Sequence, residues 1–471
     1  MKLRKILTIF AGALAVIPMV SCGGQNNPTT TTTPQTETNT GSTQTSTTST
    51  ETVYSKFVAA EVGEEVTIEG YVQAKQSWWD NKATVYLQDD NGGYFVYELA
   101  CTEAQYNTDL AIGNKISVTG EKAEYGGQVE VYASKAGAEG TWTKLSGTKT
   151  YEAKKLNKLA DMKNNPNMLV KLDLTVASNP EVDPKRDNIY YDVTDGENVY
   201  TFCVETYLTG RTGELHDTVK GLKIGDKITT EGFAYTYYDP QLHTTKVTKL
   251  GTNVFTKGTG VMSHAEFNEA EVGADCVVEG FVAAKFVRSE QWQSTNLYLQ
   301  DAEGGYYVYS LPVTVAQYNS IKVGDKIKVT GQKAEWQGEV EIDGSKAGAE
   351  GTFEIIGTEK FLSKSKDLSS ILGDADELKK HNNEYVYLKG LEIVSISFPK
   401  GDGGDTEVKV KYTPAEGAAV EYTFFVETDL TPNTTETYNT VKGLKAGDKV
   451  NLYGFMYIYG GPQLQITKVE K

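Results

Sequence analysis

The chain has 471 residues, 10% of them aromatic, with 29 tyrosines and 46 glycines against only 6 methionines. That balance suits turn-rich β-structure. Its 63 acidic and 46 basic side chains leave a net charge of −17, which argues against a protein that tracks phosphates non-specifically along a broad basic face.

The N-terminus reads as an export signal. Lys2, Arg4 and Lys5 precede an apolar run from Ile6 to Val20, the charged and apolar parts of such a segment. The run ends in Met19-Val20-Ser21-Cys22-Gly23-Gly24. This resembles the bacterial lipobox, although Met19 stands where that pattern prefers Leu. The resemblance implies a signal peptide over 1–21 and a lipid on Cys22. It also implies a protein held to a membrane on the extracytoplasmic side of a bacterial cell envelope. Residues 22–52 are rich in Thr, Ser, Asn and Gln. They bury too little to offset ordering entropy and are expected to form a disordered tether.

The rest of the chain is duplicated. Residues 61–145 return as 271–356, and residues 199–250 return as 421–471. The octapeptide SKAGAEGT at Ser134–Thr141 recurs unchanged at Ser345–Thr352. Two module types therefore alternate, as A1 (53–148), B1 (149–252), A2 (253–358) and B2 (359–471). Repetition of this kind favours a tandem binding or spacer architecture over a single catalytic cleft.

In A1, Val66–Val72 alternates and reads as a strand, and Thr84–Tyr97 reads as two strands around an Asn91-Gly92-Gly93 turn. Thr102–Asn107 reads as a short helix, and Gly113–Gly120 and Ala123–Val131 supply two more turn-and-strand units. Five strands with a helix between the third and fourth make the pattern of a small Greek-key barrel. The run EGYV…YLQDDNGGYFVY…GNKISVTG…EYGGQVEV resembles the OB-fold modules of secreted bacterial nucleases and envelope proteins. The B modules end in a parallel GDK…G…PQL pattern at Gly225–Leu242 and Gly447–Leu464. The fold expected is mainly β: four tandem five-stranded OB-like Greek-key barrels in two A–B pairs, with short helices. About 25 residues before Leu169, and again before Glu384, read as helical.

OB ligands lie across strands 2 and 3, between the loops joining strands 1–2 and 4–5. Carried over, that position assigns Trp78, Trp79, Tyr86, Tyr97 and Tyr125 in A1, and Trp292, Tyr298, Tyr309 and Trp336 in A2. Lys75 and Lys285 recur just after strand 1 as candidate cations. Such rings either stack on a ligand or seal joints between modules, and the sequence leaves both open.

The remaining reactive residues point away from catalysis. Cys203 aligns with Phe425 and His243 with Gln465, and Cys101 and Cys276 also lack a cysteine in the other copy. A disulfide framework repeated per module is therefore excluded, and buried or free thiols are expected. His216, His243, His264 and His381 have no partner at metal-ligand spacing and are read as surface residues. Asp89-Asp90-Asn91-Gly92, Asp301–Gly304 and Gly401–Glu407 carry turn residues without EF-hand spacing. Nothing calls for a cofactor or metal, and no hydrolase, zinc-protease or phosphate-loop motif occurs. The expectation is a non-enzymatic lipoprotein binding an extended ligand, by resemblance single-stranded nucleic acid or oligonucleotide. The alternatives are a surface glycan-binding protein and an adhesin-like spacer.

Overall fold

The structure is a computed structural model that describes residues 51–471 apart from 136–137, 140, 347, 349, 400–403 and 416. The export signal, Cys22 and the tether up to residue 50 lie outside the described residues, as do Gly401 to Gly403 and parts of both SKAGAEGT copies.

Module A1 shows how each barrel is built. It comprises α1 (Val53–Ala59), β1 (Glu65–Lys75), β2 (Lys82–Gln88), β3 (Gly93–Ala100), α2 (Glu103–Thr108), β4 (Asn114–Tyr125) and β5 (Gln128–Tyr132). Alternation places Val66, Ile68 and Val72 of β1 and Ile116 and Val118 of β4 on the inside, where they meet Val85, Leu87, Val96 and Val131. Thr102 caps α2 in a capping box with Gln105, and Thr314 with Gln317 repeats it in A2. The strand order is β1-β2-β3-β5-β4, and β4 pairs back to β1 to close the barrel. The β3–β5 pairing is parallel. This is OB topology.

The same order and closure recur in B1, A2 and B2, each with its parallel third-to-fifth pairing. The molecule is mainly β, four closed five-stranded barrels with a few short helices.

Three expectations change. The helical stretch before Leu169 is only a 3-10 segment, Leu159–Asn164, because Pro166 two residues on cannot continue a helix. The stretch before Glu384 splits into Ser369–Ile371 and Ala375–Lys379. Asp374 accepts from the amides of Asp376 and Glu377 and so starts the second piece afresh. His216 and His243 are buried rather than at the surface. Cys101, Cys203 and Cys276 are buried free thiols.

The A and B barrels of a pair are fused through aromatic joints. In the first, Tyr86 and Phe95 of A1 pack against Phe233 of B1, with Tyr235, Leu169 and Leu208 around them. In the second, Tyr298, Tyr307 and Phe286 of A2 pack against Phe455 of B2. Gly93 lies at the first joint, where a Cβ would run into the Asn167 backbone, and Gly305 meets the Asn383 backbone in the same way. The turn glycines are thus needed for module contact as much as for the turn. Ala177, Val254, Phe281 and Phe361 form a further apolar cluster linking B1 to A2 and to the start of B2.

Candidate ligand-binding surface

The assigned rings fall into two groups. Tyr86 and Tyr298 are wholly buried. Tyr86 stacks on Phe233 at 4.2 Å and 16°, and its hydroxyl shares a 2.8 Å hydrogen bond with Nδ1 of His243. Tyr298 stacks on Phe455 at 4.1 Å and 3° and donates to Oε1 of Gln465 at 2.8 Å. Both hold a joint and offer no face to a ligand. That is a correction to their sequence assignment, because module B covers the centre of the strand 2–3 face.

Trp78 is half-buried on the A1 core and donates its indole N–H to the Cys101 carbonyl at 3.0 Å. Lys75 and Lys285 are also corrected. Lys75 Nζ donates to the Tyr106 carbonyl at 2.6 Å, and Lys285 Nζ to those of Tyr318 and Ile321 at 2.9 Å each. Each ammonium also sits over a tyrosine ring, 3.7 Å from Tyr106 and 3.8 Å from Tyr318. These lysines secure the ends of α2 and of its A2 copy.

The other rings face outward. Trp79 is 52% exposed, Tyr125 63%, Trp292 72% and Trp336 60%. Tyr97 and Tyr309 are also exposed, nearer the joints. Nearby cations are largely engaged: Lys82 pairs with Glu98 at 3.1 Å, and Arg288 binds the Val313 carbonyl and Glu290.

Beside the first joint, Tyr97 and Tyr125 border a cleft of about 680 Å³ between A1 and B1. Its walls carry Tyr132, Tyr190, Tyr207, Tyr235 and Tyr237, the carboxyls Glu124, Glu130 and Glu205, and one cation, Arg186. Tyr235 stacks on His243 at 4.0 Å, and burial holds that imidazole neutral, down to about 3. Burial, with Glu98 nearby, pushes Glu130 up to about 7. Glu205 is also raised by burial, although it accepts from Gln76 at 2.9 Å. Among the described residues no three His, Cys, Asp or Glu side chains are placed to hold a metal ion.

No family model matches the chain, and no curated protein matches it. Among solved structures, a murine DNA-binding protein bound with double-stranded DNA is 14% identical, covering 41% of this chain and 99% of its own, with a TM-score of 0.18. The tetrameric p202 HIN2 is 12% identical, covering 41% and 98%, with a TM-score of 0.21. A replication protein A heterotrimer bound to single-stranded DNA is 8% identical, covering 63% and 93%, with a TM-score of 0.19. At these values the likeness carries no argument about a ligand.

Sequence reasoning missed the B side of the joints. The repeated Gly232-Phe233 and Gly454-Phe455 pairs were the available signal, since a large apolar side chain kept beside a glycine marks close packing. It also missed Lys122 and Lys333. Each is buried in a strand, and its ammonium collects main-chain carbonyls at the end of a preceding helix: Phe57, Val58 and Ala60 for Lys122, Asn268 and Ala270 for Lys333.

Proposed function

We propose that the chain is a non-enzymatic, extracytoplasmic binding protein, anchored by lipid on Cys22, that holds single-stranded nucleic acid or an oligonucleotide on the outward rings of its A modules. One observation carries this reading. Trp79, Trp292 and Trp336 stay more than half exposed on the loops that border an OB ligand face, where isolated rings of this size have a cost in water. Stacking on such rings contributes about 1–3 kcal/mol per base and tolerates any sequence.

The charge distribution shapes the mode of binding. Because Lys75, Lys82, Lys285 and Arg288 are engaged within the protein, few phosphates are neutralised and affinity rests on stacking. Each neutralised phosphate adds about −0.7 to the slope of log K against log salt, so the slope should be shallow, about −1 to −2. Labelled oligothymidine of about 30 nucleotides, titrated across a salt series, is the test. Saturable binding that weakens about tenfold in Trp79→Ala/Trp292→Ala is expected. No saturable binding at low salt sinks the reading.

A further inference from the structure

The first joint carries a site that the outward rings do not explain. We infer that the A1–B1 cleft binds a short uncharged oligosaccharide, its sugar rings laid on Tyr237 and Tyr125 and its hydroxyls bonded to Glu130 and Glu205. This goes beyond the nucleic-acid reading and does not depend on it.

The volume, about 680 Å³, lies within the range of ligand sites that combine apolar walls with a few fixed polar groups. Tyr125 and Tyr237 stand 6.0 Å apart with 33° between their planes, and both are exposed. They present the flat apolar faces on which the C–H face of a pyranose stacks. Glu130 is only 8% exposed, and among the described residues its carboxyl has no protein hydrogen-bond partner. A buried carboxyl in that position needs partners from solvent or ligand. Hydroxyls, which both donate and accept, serve it whether or not it is protonated. Held near 7 by burial, it exists in both forms around neutrality. A row of phosphates is a poor fit, because three carboxyls face the single cation Arg186.

The second joint is a built-in comparison. There the corresponding positions turn acidic: Gln128 becomes Glu339, Tyr132 becomes Asp343, Asn188 becomes Asp405, Tyr190 becomes Glu407 and Tyr207 becomes Asp429. The backbone role of one position survives the change. Asn188 Oδ1 accepts from the Thr206 amide, and Asp405 Oδ1 accepts from the Thr428 amide. The fold of the joint is therefore repeated, with Trp336 and Tyr459 in place of Tyr125 and Tyr237 and with Glu341 and Glu427 in place of Glu130 and Glu205, while three tyrosines are lost and five carboxyls gained around them. The duplication alone would give two equivalent sites; the side chains give one.

Calorimetric titration of the full chain with neutral hexasaccharides (cello-, xylo-, manno-, malto- and chito-series) tests this at about 50 and 500 mM salt. The expected result is binding of at least one series at one site per chain, with Kd changing less than about twofold between the salts. Tyr237→Ala and Glu130→Ala should each weaken it about tenfold or more, while Tyr459→Ala, the matching change in B2, should not. Tyr237 and Tyr459 are both exposed, so these variants keep the fold, and matching melting curves confirm it. The inference is overturned if no series binds, if two equal sites appear, or if Tyr459→Ala is as damaging as Tyr237→Ala. It is also overturned if oligothymidine displaces the sugar, which would place nucleic acid in the cleft. The outcome is separate from that of Trp79→Ala/Trp292→Ala, because those rings lie outside the cleft.

Discussion

Tyr86 sits mid-strand where an OB barrel presents its ligand face, and it is instead sealed under Phe233 with its hydroxyl on His243. Its removal takes away a fully buried ring, a stack and a hydrogen bond together. Large-to-small changes of this kind cost about 3–5 kcal/mol, and Tyr86→Ala is expected to fall there in urea unfolding. Trp79→Ala, at an exposed loop position, should change stability by less than about 0.5 kcal/mol. Equal losses in the two variants would contradict the division of the rings into joint and surface groups. The same division explains why residue type alone misleads here. Both residues are aromatic, both lie near strand 2, and only what covers them differs.

At the scale of the element, lysines do work that composition assigns to the surface. Lys122 is buried in β4, and its ammonium lies 2.7–2.9 Å from three carbonyls at the end of α1. The last carbonyls of a helix have no partner within it, and a cation there also meets the negative end of the helix dipole. Lys122→Met keeps much of the stem's packing but strands those acceptors. A loss of about 1–3 kcal/mol is expected, seen as a lower urea midpoint, with ligand binding unchanged. Altered binding at unchanged stability would move Lys122 from the scaffold to the site. The alternation of β4 was legible in the sequence. The destination of Lys122 was not, because a lysine at a core-facing position makes sense only once a helix end lies within reach of its stem.

Across the whole molecule, the two pairs share one architecture and differ in charge at their joints. Burial pushes Glu339 up to about 8, Glu427 up to about 8 and Glu341 up to about 7 in the second pair. An unfolded glutamate titrates near 4.5, so between about 4.5 and 8 the folded state binds more protons than the unfolded one. Stability then falls as pH rises through that window. The melting temperature should drop from pH 5 to pH 8, and Glu339→Gln should flatten the drop. An unchanged pH profile in that variant would remove Glu339 from the account. The first pair has Gln128 at this position, where Nε2 donates to Asn167 and Oε1 accepts from the Thr236 amide, and so lacks that contribution.

Strand count, barrel type and two-fold repetition came from the sequence alone, because alternation, turn residues and internal similarity are local properties that a chain carries wherever it folds. The shortlist of loop aromatics came the same way, and Trp79, Tyr125, Trp292 and Trp336 are indeed exposed. Only the tertiary structure decided that Tyr86 and Tyr298 are joint residues and that Lys75 and Lys285 secure helix ends. It also brought Glu130 and Glu205 together with Tyr235 and Tyr237 across the boundary between A1 and B1. The physical reason is that a strand's pattern states which side chains leave the barrel core, but not whether water or a second barrel waits for them. That depends on surfaces about 150 residues apart in the chain, Tyr86 and Phe233 among them, and burial and charge at those surfaces exist only once they meet.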